Sequence, residues 1–196
     1  MDPLSISGVW LHTPQIHADA RGSFFEAFRM ADLNAATGHR MELAQMNCSV
    51  STKGVLRGIH FADVPPGQAK YVTCVSGAIL DVVVDLRVGS PTFLRWESVR
   101  LDDESRRGLF IAEGLGHGFL VLSEQATVTY LCSTPYTPSR EHGVHAFDPS
   151  IGVDWRMEDA PILSERDAAQ PSVKELLEAG ALPVHSQCQA FYASLR

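Results

Sequence analysis

The chain has 196 residues, 45% of them hydrophobic, which suits one domain with a sizeable core and excludes disordered, collagenous and coiled-coil classes. Its formal net charge of -7 argues against general affinity for nucleic acid or an anionic membrane surface, so any bound phosphate must meet a few locally placed cations. No segment approaches the ~20 apolar residues that span a bilayer, and residues 1–10 lack a basic region ahead of an apolar run, so a soluble cytoplasmic protein with a small-molecule partner is expected.

In chain order, residues 30–37 can form a short helix stopped by Gly38. From about residue 45 to 135, short runs rich in Val, Ile, Leu, Phe and Thr are broken by Gly, Pro, Ser and Asp clusters at the intervals of antiparallel strands. The runs are 55–61, 71–75, 78–86, 93–99, 109–111, 118–122 and 126–132, with Ser76-Gly77 and Val88-Gly89-Ser90-Pro91 as turns. So many short strands predict an all-β sandwich, jelly roll or barrel. Pro171-Ser172-Val173-Lys174-Glu175 carries the spacing of a capping box, and that run ends at Gly180. With no repeat, low-complexity tract or long linker, residues 1–196 read as one domain. Residues 1–44 hold peripheral strands and the short helix, 45–135 the β core, and about 160–196 a helical segment. Cys48, Cys74, Cys132 and Cys188 are far apart, and three lie in apolar surroundings where a reduced thiol packs as a small hydrophobe.

The densest chemistry lies in Val55-Leu56-Arg57-Gly58-Ile59-His60-Phe61 and in Pro65-Pro66-Gly67-Gln68-Ala69-Lys70, which place an imidazole and two cations within one strand and turn. A base that titrates near neutrality beside positive charge suits carbanion chemistry on a phosphorylated substrate. Strict alternation sets Arg57 and His60 on opposite faces, so both serve one pocket only if the strand is bulged, and Gly58 is the residue that tolerates it. Taken alone, His60 is more commonly a satisfied core histidine, and Lys70 a solvated strand-end lysine. In the run 79–87, Asp81, Asp85 and Arg87 share a face; Asp81 is expected to orient His60 or Lys70, and Asp85 with Arg87 to form a structural ion pair.

Gly114-Leu115-Gly116-His117-Gly118-Phe119 has strand-like neighbours and no following helix, so a dinucleotide loop is disfavoured. It reads instead as a tight turn or as a histidine at a strand start that meets a ligand oxygen. Tyr130 is a candidate proton donor in a lined pocket, with core packing as its ordinary fate. Tyr136, after Pro135, is placed at a rim where its ring can stack on a base. His142 and His145 are expected on a solvated loop. A metal-binding cupin needs an H-x-H pair, which Ile59-His60-Phe61 lacks, so no metal is expected.

Together these segments resemble the dTDP-4-dehydrorhamnose 3,5-epimerase family. The likeness runs through Asp19-Ala20-Arg21-Gly22-Ser23-Phe24-Phe25-Glu26, Gln45-Met46-Asn47 with Ser49, Arg57-Gly58-Ile59-His60, Gly67-Gln68-Ala69-Lys70, 81–87, His117-Gly118-Phe119, Tyr130, Tyr136 with Pro138 and Glu141, Asp148-Pro149 before Trp155, and Leu163-Ser164-Glu165-Arg166-Asp167. The resemblance implies a cupin-type jelly roll and a cofactor-independent epimerase of dTDP-4-keto-6-deoxyhexoses in deoxysugar or antibiotic biosynthesis. It implies His60 as base with Asp167 as its carboxylate partner, Tyr130 as acid on the opposite face, Lys70 at the enolate oxygen, and Asp81 fixing that lysine or the imidazole. It gives Arg21 and Arg57 to the diphosphate, Glu26 and Gln45, Met46 and Asn47 to the nucleotide, His117 and Glu141 to ligand binding, and Tyr136 to the thymine. Arg166, where a lysine is usual, joins the substrate-binding set. A homodimer that exchanges N-terminal strands is implied, so that Arg21 and Glu26 complete the partner's site. The core motif, Arg57-Gly58-Ile59-His60-Phe61-Ala62, departs from the common Arg-Gly-Leu-His-Tyr-Gln and resembles relatives that make unusual deoxysugars for antibiotics, some of which invert only C3 or only C5. The competing readings are a metal-dependent cupin isomerase or dioxygenase, and a non-catalytic nucleotide-sugar binding module.

Overall fold

Thirteen strands, four short α-helices and a 3-10 turn at Pro138–Arg140 occur among the described residues, 1–38, 40–157 and 159–195, of a computed structural model. The strands are β1 (Asp2–Pro3), β2 (Val9–His12), β3 (Ile16–Asp19), β4 (Gly22–Phe25), β5 (Gln45–Thr52), β6 (Leu56–Ala62), β7 (Lys70–Ser76), β8 (Ala78–Asp85), β9 (Trp96–Asp102), β10 (Gly108–Ile111), β11 (Leu115–Val121), β12 (Gln125–Cys132) and β13 (Glu141–Gly143). The helices are α1 (Met30–Thr37), α2 (Glu165–Ala168), α3 (Val173–Glu178) and α4 (His185–Ser194). Gly38, at φ 64°, ends α1, and the Ser172–Glu175 capping box opens α3.

The strands form a six-stranded sheet in the order β1-β2-β10-β7-β12-β5 and a five-stranded sheet in the order β13-β6-β11-β8-β9. Every ladder pairing is antiparallel, and β3 with β4 makes a separate hairpin. Val72, Cys74 and Val128 of the first sheet pack with Val83, Phe119 and Val121 of the second, so the inner faces meet as a jelly roll of the cupin type. The outer face of the five-stranded sheet carries Ile59, Phe61, Leu80, Val82 and Leu120, covered by Val144, Trp155, Val173, Leu176 and Leu182. Both faces of β8 are therefore buried, which is why it reads as a nearly continuous apolar run. None of the described helices is long and apolar enough to cross a membrane.

Three sequence expectations need correction. The strand expected over 93–99 starts at Trp96, because 93–95 turn through Leu94 at φ 63°. The tight turn read at Gly114-Leu115-Gly116-His117 is confined to Gly114, at φ 83°, while Leu115, Gly116 and His117 already belong to β11; Gly116 marks close approach, since a Cβ there would meet Ile59 and Leu86 at 2.7 Å. His142 is not solvated loop but the middle of β13, half-buried, with Nε2 2.7 Å from Asp63 Oδ1 and its ring on Phe61.

Candidate active site

The site begins with a bulge. On β11, His117 and Phe119 are two residues apart, yet they pair with His60 and Arg57, three apart on β6. The extra residue puts Arg57 and His60 on one face, resolving the conflict that simple alternation creates. Gly58 carries the distortion at φ 112°, and a Cβ there would stand 2.6 Å from both the His117 carbonyl and Gly118 Cα. This face looks between the sheets, because Phe119 and Val83 beside it belong to the inter-sheet core.

His60 is held by Asp167, with Nε2 2.6 Å from Oδ1; the imidazole is 32% exposed and the carboxylate 7%. Burial raises the Asp167 carboxyl, but the bond and charge of His60, the Ser164 hydroxyl and Arg166 outweigh it, holding the group below its ordinary range. An ionised carboxylate accepts the Nε2 proton, which leaves Nδ1 of the neutral ring as its basic nitrogen. Asp167 reaches His60 because the preceding segment is pinned to β6: Leu56 N–H donates to the Ile162 carbonyl at 3.0 Å, and Ile162 N–H to that of Gly54 at 2.8 Å.

A second imidazole pair lies across the ladder. His117, directly opposite His60, places Nε2 2.9 and 3.1 Å from the two oxygens of fully buried Asp81. The expectation that Asp81 orients His60 or Lys70 is corrected on this point. Asp81 pairs with Phe119 in the β8–β11 register, which brings it beside His117.

The opposing wall comes from β5, β7 and β12. Lys70, Cys132 and Gln45 stand in one cross-strand row, and Val72, Tyr130 and Asn47 in the next, all on the inner face. No carboxylate forms an ion pair with Lys70 among the described residues. Burial depresses its ammonium, against the more distant pull of Glu141, Cys132 and Asp81. Burial likewise raises the Tyr130 phenol, so it is present as a neutral donor at physiological pH. Arg57 spans the gap between the walls, donating from Nε to Ser51 Oγ at 3.1 Å.

At the rim, Arg166 donates to the Tyr136 hydroxyl at 3.0 Å and to the Glu141 carbonyl at 3.5 Å. Tyr136 N–H donates to Gln45 Oε1 at 2.9 Å, and Gln45 Nε2 to Asn47 Oδ1 at 2.7 Å. α2 thus carries Asp167 to the base and Arg166 to the rim. Three expected residues stay away from their own chain's cleft. Met46 alternates outward and is 61% exposed; Arg21 is 90% exposed and paired with Asp19 at 2.6 Å; Glu26 pairs with Arg29 at 2.7 Å below the free-standing hairpin. No three His, Cys, Asp or Glu side chains gather as a metal-holding group among the described residues.

The family profile of dTDP-4-dehydrorhamnose 3,5-epimerase matches residues 3–175. The dTDP-4-dehydrorhamnose 3,5-epimerase of Mycolicibacterium smegmatis is 55% identical over 193 residues, covering 98% of this chain and 95% of that protein. The chain belongs to this family. A Streptomyces niveus dTDP-4-dehydrorhamnose 3-epimerase is also similar, 54% identical over 188 residues, 96% of this chain and 90% of that one. The crystal structure of ChmJ, a 3'-monoepimerase from Streptomyces bikiniensis in complex with dTDP-quinovose, superposes with a TM-score of 0.97 at 47% identity, covering 100% of this chain and 99% of that chain. Among dTDP-4-dehydrorhamnose 3,5-epimerase relatives, double and single epimerases therefore stand equally near this sequence. The sequence reading gave no role to Ser51 or Ser164, although Ser164 stands in the family-like segment 163–167. Ser51 is a plain alternating strand serine, whereas Ser164, three residues before Asp167, carries the legible spacing of a helix cap.

Proposed function

We propose that the cleft epimerises a dTDP-linked 4-keto-6-deoxyhexose at C3, C5 or both. His60 takes the proton from carbon beside the C4 ketone, the C–H electron pair becomes an enolate, and Tyr130 returns a proton to the opposite face. One group working from a single side would restore the starting configuration, so the two walls of the cleft are needed. The observation that carries this reading is the partly open His60, fixed by Asp167, in a cleft whose other wall presents Lys70 and Tyr130.

A carbon acid of this kind is weaker than imidazolium by roughly 10 pK units, or ~14 kcal/mol. Imidazole alone does not bridge that difference; the ammonium of Lys70, which no carboxylate among the described residues pairs with, holds the charge that develops on O4. Arg57 serves the diphosphate, His117, fixed by Asp81, lines the ligand-binding cleft, and Tyr136, with Gln45 and Asn47 behind it, serves the thymine. In this reading the chain works as a homodimer, in which the exposed β3–β4 hairpin delivers Arg21 and Glu26 to the neighbouring cleft.

Incubation with dTDP-4-keto-6-deoxyglucose in D2O tests the proposal. Deuterium is expected at C3, C5 or both, with exchange retained in EDTA; no exchange at either carbon overturns it. Tyr130→Phe is expected to preserve exchange while slowing inversion, since only the second proton transfer loses its donor.

A further inference from the structure

The proposed base depends on a carboxylate that belongs to neither sheet. Asp167 sits in α2, only four residues long, and a helix that short has little stability of its own. Its carboxylate orientation must therefore be set by contacts outside the helical ladder. Ser164 supplies two of them. Asp167 N–H donates to Ser164 Oγ at 3.0 Å, and the Ser164 hydroxyl donates to Asp167 Oδ2 at 2.9 Å. The two carboxylate oxygens thus have separate tasks, Oδ1 facing His60 at 2.6 Å and Oδ2 facing Ser164.

We infer that Ser164 is a positioning residue for the epimerisation, locking the Asp167 carboxylate so that it holds His60 in its reactive orientation. The inference rests on the proposed function above. Three features support it. The Asp167 side chain is 7% exposed, so water cannot freely replace a lost donor on Oδ2. Ser164 itself cannot drift, because Ile162, two residues earlier, bridges Val55 at the entry to the strand that carries His60. The arrangement also lets one hydroxyl start the helix and orient the carboxylate, so the cap and the base cannot be adjusted separately.

The test is solvent-deuterium wash-in and turnover measured on wild type, Ser164→Gly, Ser164→Ala, Ser164→Thr and Asp167→Asn, with each serine variant repeated in the Asp167→Asn background. Glycine keeps most of the cap while deleting the hydroxyl, so it remains informative where alanine fails to fold. Ser164→Gly is expected to lower kcat about 10- to 100-fold, the scale of a hydrogen bond to a charged group, with KM changed less than about threefold. Threonine is expected to restore turnover, and Ser164→Gly should add no further loss to Asp167→Asn. A purely structural cap gives the opposite pattern, with equal losses in both backgrounds or a kcat that follows the melting temperature, and this overturns the inference. A Ser164→Gly protein as active as wild type overturns it too. Absence of wash-in by wild type instead defeats the proposed function, so the two failures are distinguishable.

Discussion

Two imidazole–carboxylate pairs stand opposite each other on neighbouring strands, and they are built differently. His117 is 8% exposed, and its partner Asp81 projects from β8, within the same sheet. His60 is 32% exposed, and its partner Asp167 arrives from a short helix outside the sheet. A carboxylate supplied by an adjacent strand pulls its ring down into the interface between the sheets. One supplied from beyond the sheet edge steadies the ring while leaving it reachable. The difference separates a pair that shapes the cleft from a pair that can exchange a proton with something bound there.

Exchanging His60 for Asn should break the comparison most severely. Loss of the base lowers deuterium wash-in by about 10²- to 10⁴-fold. Calorimetry with dTDP should show affinity little changed, because the nucleotide contacts lie elsewhere. Equal loss of binding and turnover would place His60 with His117 as a shape-holding residue.

Lys70→Met should reduce turnover by about 10²- to 10³-fold, as expected when a donor to a developing oxyanion is removed. The same variant should melt at a higher temperature than wild type. Burial depresses the Lys70 ammonium and no carboxylate among the described residues forms an ion pair with it, so its charge is a cost to folding that methionine relieves. A lower melting temperature would show that the charge is compensated.

Asp167→Asn should cost about 10- to 100-fold in turnover and should produce a pH-dependent stability difference. The folded carboxyl lies below its ordinary value of 3.8, so its ionised form stabilises the fold above that value. The contribution disappears as pH falls through the lower, folded value. Thermal melts of wild type and variant should therefore differ by a constant amount near neutrality and converge on acidification below 3.8. A gap that persists in acid would mean that the asparagine disturbs packing rather than charge.

The smallest catalytic effect is expected from Asp81→Asn. An amide still accepts a hydrogen bond from His117, so wash-in should fall less than tenfold, while stability drops by about 2 kcal/mol from weakening a buried, charge-assisted contact. Denaturant unfolding beside the wash-in assay checks both halves. A collapse in turnover at unchanged stability would make the buried pair a direct participant.

Much of the architecture was legible in the chain. Period-two strands bounded by turn residues gave the β core from about 45 to 135, and the Ser172–Glu175 spacing and Gly38 gave two helix ends, because these are local signals. α4 falls within the helical segment expected over about 160–196, but no local signal marks its bounds; its residues show no strong apolar periodicity, and Val88 N–H bonding to the Pro183 carbonyl ties its start to the sheet. The residues that could do chemistry were also readable, but their pairing was not. Nothing local distinguishes Asp81 bound to His117 from Asp81 bound to His60, since the choice depends on which strands become neighbours and in what register.

What the sequence determined by itself was the alternation that builds two sheets, the glycine that permits a distorted strand, and the supply of imidazoles, carboxylates and cations. The tertiary structure decided which of them meet. Register between strands placed His117 over Asp81, one extra residue in β6 turned Arg57 and His60 to the same side, and a segment more than a hundred positions away in the chain delivered Asp167. Such contacts depend on how distant segments close on one another, and that closure is set by the burial of whole faces rather than by any single motif.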